Sequence, residues 1–181
     1  MEETLETVCS KIFAGGDAPK ENFSKVMTDE YPIPIYANAV KNRGLYGYTN
    51  IARVNKPSIS ISARGSGTGH TELRLHPYFP IVRLIVLIPN SDFIELRFLK
   101  YVINNLDILR SGSAIPQLTV PMIKKYKIYI PNITKQKKLI EELDSLFIEI
   151  QKIEKVYQQK LNNLEELKKS ILQKAFRGEL A

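Results

Sequence analysis

From Thr134 to Phe176 the chain runs for 43 residues without a glycine or a proline, where an average globular helix has about 11 to 12 residues. With Thr134 at the N-cap position, the segment reads as one helix roughly 65 Å long at 1.5 Å per residue. Leu139, Leu143, Leu146, Ile150, Ile153 and Tyr157 follow a heptad seam, which resumes one residue late at Leu161, Leu164, Leu167, Ile171 and Ala175. A stripe that long exceeds the diameter of the domain the remaining residues could build, so most of it needs cover from elsewhere. The spacing predicts a coiled coil with one stutter, with the residues from Leu139 to Ile171 as its interface. The alternative is a helical hairpin, and its weak point is Asn162-Asn163.

The first 132 residues read as one globular unit. Leu5, Val8, Ile12 and Phe13 stand at helical spacing and predict a helix over 4–13, stopped by Gly15-Gly16 and Pro19. Extended segments follow at YPIPIY (31–36), SISIS (58–62) and IVRLIVLI (81–88). Pro32 and Pro34 make the first of these an edge strand or an arm, and the apolar 81–88 run is central. Asp92 and Glu95 have capping-box spacing before the period of Phe93, Leu96, Leu99, Val102, Ile103 and Leu106, predicting a helix over 92–109 packed on the sheet. A loop over 111–121 leads to a last strand, KIYI (127–130).

Twenty-six Lys and Arg against nineteen Asp and Glu give a net charge of +7, and five of those charges fall on residues 1–132. Between Tyr31 and Thr71 there is no acidic residue, whereas Lys41, Arg43, Arg53, Lys56 and Arg64 lie inside, with Arg74 just beyond. Tyr46 and Tyr48 are interleaved with these cations. Such a stretch is either a solvated basic face or a surface for a polyanion.

Motifs of chemistry are missing. The glycine-rich ARGSGTGH (63–70) has neither the spacing nor the following helix of a dinucleotide loop, and no Gly-Lys-Ser/Thr is present. It is a flexible hairpin loop or a DNA-facing loop carrying Arg64, Ser66, Thr68 and His70. His70 and His76 lack a ligand set for a metal, no nucleophile elbow occurs, and the adenine-methyltransferase tetrapeptide is absent. The single Cys9 cannot form an intrachain disulfide. No apolar run spans a membrane, and the acidic start is unlike a signal peptide. The expectation is a cytoplasmic protein with no catalysis, metal or cofactor of its own.

YPIPIYANAVKNRGLYGYTN (31–50), ISARGSGTGHTEL (61–73), PYFPIVRLIVLIPN (77–90), SGSAIPQLTVPMIKKYKIYIPN (111–132), KQKKLIEELD (135–144) and LKKSILQKAFRGEL (167–180) resemble, in order, the blocks of the specificity subunit of type I restriction-modification systems. Gln136 falls where that family places a glutamine at its helix start. The resemblance implies an α+β architecture: a mixed α/β target-recognition domain over 1–132 followed by one long helix over 133–181. A full subunit of the family has two such domains and two helices packed antiparallel, whereas this chain has one of each and no Trp. A homodimer with an antiparallel coiled coil restores the family's architecture.

The resemblance further implies a subunit that recognises double-stranded DNA and docks a methyltransferase subunit and, in the restriction form, a translocase-nuclease. Lys41, Arg43, Arg53 and Lys56 would contact phosphates, with Arg74 nearby, and Tyr46, Tyr48, Arg64, Ser66, Thr68 and His70 would reach the groove. A coiled-coil adaptor whose front domain binds a protein is the alternative.

Overall fold

In the computed structural model, which describes residues 1–65, 67–106 and 117–179, contacts divide the chain into two units, Met1–Lys137 and Lys138–Ala181. The helix expected over 4–13 is reduced to a single turn. β1 (Glu2–Thr4) leads into α1 (Leu5–Val8), capped by Thr4, and β2 (Cys9–Ala14) follows at once. The apolar spacing is satisfied differently: the turn buries Leu5 and Val8, and the strand buries Ile12. Pairing with a distant strand overrides local periodicity here.

β3 (Ile33–Tyr36) and β4 (Leu45–Thr49) form an antiparallel pair, and β5 (Ser58–Ile61) and β6 (Thr71–Arg74) form another. β7 (Phe79–Pro80) runs parallel to β3, so β3 is the middle strand of a three-stranded sheet and not an edge. Its prolines are tolerated because pairing with β7 involves only Ile35 and Tyr36, beyond Pro34.

The apolar run 81–88 is likewise split. Val82 and Arg83 have φ of 49° and 59°, and Leu84 N–H donates to Ile81 O at 3.1 Å. This turn lifts the charged Arg83 out of the core, and β8 (Ile85–Pro89) begins after it. β8 is central as expected, in the order β2-β8-β5-β6.

α2 (Leu96–Asn104) starts later than its capping-box spacing suggests, with no side-chain cap from Glu95. Asp92 instead lies in a turn whose N–H groups donate to Asn90. The helix packs on β5 and β6 and buries Phe98, Leu99 and Ile103, each contributing about 1.5–3 kcal/mol. Residues 107–109 of the expected helix, and 111–116 of the loop after it, lie outside the described residues. The end of that loop holds a short helix, α3 (Val120–Lys124), capped by Thr119. β9 (Lys127–Tyr129) then pairs with β1.

α4 (Ile133–Phe176) is one continuous helix of 44 residues. Its N-cap is Asn132, whose Oδ1 accepts from Lys135 N–H at 2.9 Å, and not Thr134. The helix passes through Asn162 and Asn163 without a break, each amide accepting from the glutamine one turn earlier. Gly178, at φ 72°, ends it: Gly178 N–H donates to Ala175 O and Glu179 N–H to Lys174 O, the pair of bonds that a left-handed glycine allows. From Leu146 to Tyr157 the seam residues are 51–62% exposed within one chain.

Candidate nucleic-acid interface

The SISI alternation of β5 builds the floor of the site. Ile59 and Ile61 are fully buried, yet Ser58 and Ser60 on the opposite face are buried as well. Their small hydroxyls leave room for two large groups. Ser58 Oγ shares a hydrogen bond of 2.9 Å with Tyr78 Oη, and Ser60 Oγ accepts from Arg74 Nε at 2.9 Å. Arg74 also donates through Nη2 to Arg43 O at 2.6 Å and stacks 3.5 Å from the centre of the Tyr36 ring. Arg74 is only 4% exposed. Contrary to the expectation of a DNA contact, it is a buried cation that holds other parts in place, and burial pushes its pKa down.

Arg43 stands in front of it, on the turn Lys41–Gly44. Asn42 and Arg43 both have left-handed φ, 51° and 54°, a conformation that costs a non-glycine residue about 1–2 kcal/mol. Gly44 follows at φ 77°, and a Cβ there would sit 2.7 Å from Ala37 O. The Arg43 side chain is 67% exposed and donates through Nε to Glu72 Oε2 at 2.9 Å. His70 Nε2 lies 3.2 Å from the other oxygen, Oε1. Burial alone would raise the pKa of Glu72, but hydrogen bonds from Arg43 and His70 outweigh it and hold the carboxyl below its usual value.

The segment before this turn is tied to the β5–β6 hairpin loop. Asn38 donates to Arg64 O at 2.9 Å and accepts from Ala63 N–H, and Val40 lies against Gly67. Within the loop, Thr68 N–H and Oγ1 both donate to Gly65 O, and His70 N–H donates to Gly67 O. The segment that carries Lys41 and Arg43 is thereby joined to the hairpin that carries Arg64, Thr68 and His70. Ser66 belongs to the same loop by sequence but lies outside the described residues.

The other expected residues are placed elsewhere. Tyr46 is exposed on β4 against Phe23, with Lys25 Nζ 4.3 Å from its ring centre; Tyr48 is half-buried. Arg53 lies over the Phe13 ring, which Lys11 also approaches, and Lys56 is exposed between β4 and β5. Sequence reasoning missed Asn38 and Lys25 as parts of these clusters and Glu72 as the partner of Arg43, because an isolated polar residue gives no periodic signal. A cavity of about 310 Å³ adjoins Arg43, lined by Pro34, Tyr36, Leu73, Arg74, Leu75 and His76. Among the described residues no His, Cys, Asp or Glu group could hold a metal ion, and no helix is long and apolar enough to cross a membrane.

An α+β unit followed by one long helix defines the class of the molecule, and that class has solved members. The chain superposes with a TM-score of 0.81 on a chain from a study of complex assembly and conformational transition of the type I R-M system, at 19% identity, over 99% of this chain and 46% of that one. With the HsdS subunit of Thermoanaerobacter tengcongensis the TM-score is 0.72 at 20% identity, over 99% and 45% of the two chains.

Residues 2–166 match the model of the type I restriction modification DNA specificity domain. S.MpnORF89P of Mycoplasma pneumoniae, named as a type I specificity subunit, is 36% identical over 143 residues, 79% of this chain and 42% of that protein. The chain therefore belongs to the family of type I restriction-modification specificity subunits, and its matched residues span 42% and 39% of the length of two of those relatives.

Proposed function

We propose that this chain is a non-catalytic DNA-recognition subunit whose work is placement: it binds a specific duplex sequence and positions a methyltransferase subunit and, where present, a restriction-translocase subunit on it. The observation that carries this is the tie made by Asn38 between the segment bearing Lys41 and Arg43 and the hairpin bearing Arg64, Thr68 and His70. Phosphate contacts from Lys41, Arg43, Arg53 and Lys56 supply affinity and register, and Arg64, Thr68, His70, Tyr46 and Tyr48 approach the groove. Arg74 serves from behind, as the support of Arg43.

Two chains complete the unit by pairing α4 along the seam from Leu139 to Ile171. The exposed apolar side chains from Leu146 onward support this, because a solvated stripe of that length favours association. Antiparallel pairing puts the recognition domains at opposite ends of the coil, and a twofold axis then requires identical half-sites in inverted orientation. The target is an interrupted palindrome with half-site centres about 10 base pairs apart.

Selection from a pool of randomised duplexes, with affinity measured against salt, tests this reading. An interrupted palindrome and a steep fall of affinity with salt are expected. An asymmetric target sinks the homodimer, and salt-independent binding sinks the DNA reading in favour of a protein partner.

A further inference from the structure

The structure assigns Glu72 a role in sequence discrimination: we propose that it is the positioning residue that aims Arg43 and His70 at base edges. The inference rests on the DNA-recognition reading above and changes one assignment within it, moving Arg43 from the phosphate contacts to the base contacts. Glu72 is the first carboxylate after the acid-free stretch from Tyr31 to Thr71, and near phosphates a carboxylate weakens binding. Its side chain is 16% exposed, behind Arg43 at 67% and His70 at 35%. Each carboxylate oxygen serves one of them, Oε2 for Arg43 and Oε1 for His70.

This arrangement fixes what each side chain offers. With Arg43 Nε committed to Glu72 and Nη2 leaning to Leu73 O at 3.5 Å, the guanidinium presents the edge bearing its terminal nitrogens. A two-donor edge matches the O6 and N7 acceptors of guanine. In a neutral His70 ring the carboxylate selects the tautomer with hydrogen on Nε2, leaving Nδ1 as an acceptor for an amino group of adenine or cytosine. The left-handed backbone of Arg43, pinned through its own oxygen by Arg74, supports the same conclusion. A strained backbone beneath an exposed arginine whose guanidinium is itself held by hydrogen bonds fits a group that must point one way.

Full-length wild type, E72A and E72Q are compared by selection from randomised duplexes, by affinity for the selected and a scrambled duplex, and by thermal melting. For E72A the selected sequence should lose definition at two positions of each half-site, those read by Arg43 and His70, and preference over the scrambled duplex should fall at least about fivefold. Scrambled-duplex binding should strengthen and the salt slope steepen by about one. E72Q, which keeps an acceptor for Arg43 but not the charge and turns an amide N–H toward His70, should share the scrambled-duplex gain, keep the position read by Arg43 and change the one read by His70.

A folded E72A with an unchanged selected sequence, or with both affinities falling in parallel, overturns the inference. If E72A does not fold, E72Q decides: unchanged scrambled-duplex affinity and slope overturn it. A wild type that enriches no sequence and binds no duplex in a salt-dependent way defeats the DNA reading itself, a result distinct from either.

Discussion

The guanidinium of Arg74, buried beneath the surface, donates to the main-chain oxygen of Arg43 at 2.6 Å, so one arginine fixes the backbone from which another reaches solvent. Two residues of the same type therefore have opposite sensitivities. Arg74→Met leaves the Arg43 carbonyl and the Ser60 hydroxyl without their donor and should cost about 2–3 kcal/mol. Arg43→Ala, at an exposed side chain, should stay within about 0.5 kcal/mol of wild type while weakening duplex binding and relaxing the selected sequence at one position of each half-site. Urea denaturation and selection from randomised duplexes on both variants check the contrast.

Gln136 should prove as costly to replace as a core residue. It is fully buried: Oε1 accepts from Glu95 N–H at 2.9 Å, supplying the α2 N-terminus with the acceptor its own residues lack, and Nε2 donates to Phe93 O and Pro131 O. Gln136→Leu fills the space but removes the partner of a partly buried N–H and of two partly buried carbonyls. A loss of about 2–4 kcal/mol is expected from the midpoint of urea unfolding.

Leu146→Asp combined with Ile150→Asp puts carboxylates in the seam, where burial without a partner is unfavourable. Sedimentation velocity should show a monomer for this double variant and a dimer for wild type. An unchanged dimer would place the interface off α4. Because both side chains are exposed in one chain, the far-ultraviolet circular dichroism of the recognition unit should be retained.

Alkaline solution should destabilise the fold in a defined window. Burial pushes the Tyr78 hydroxyl up from 10.0 to about 12 and the Cys9 thiol up from 9.0 to about 12. Both groups ionise more easily in the unfolded chain, so the unfolded state holds fewer protons between those values and stability falls as pH rises from about 9 to 12. Below pH 9 neither contributes a slope. Tyr78→Phe should remove the part of the decline that begins near pH 10, read from urea midpoints taken at half-unit steps.

Much of this was written into the sequence by itself. The length and continuity of α4 follow from 43 residues without a helix breaker, and the SISI strand and the basic character of residues 31–71 are equally local properties. Only the tertiary structure decided where the N-terminal helix stopped, because pairing of β2 with β8 outweighs a helical spacing that a one-turn helix and a strand satisfy together. The same holds for the split of residues 81–88, where one charged residue within an apolar run had to reach water. It holds most of all for the arginines: Arg43 and Arg74 belong to one basic patch in sequence, and the buried serine face of β5 separates them into a surface reader and an interior support. Charge and spacing are properties of the chain, whereas burial depends on which distant segments close over a side chain.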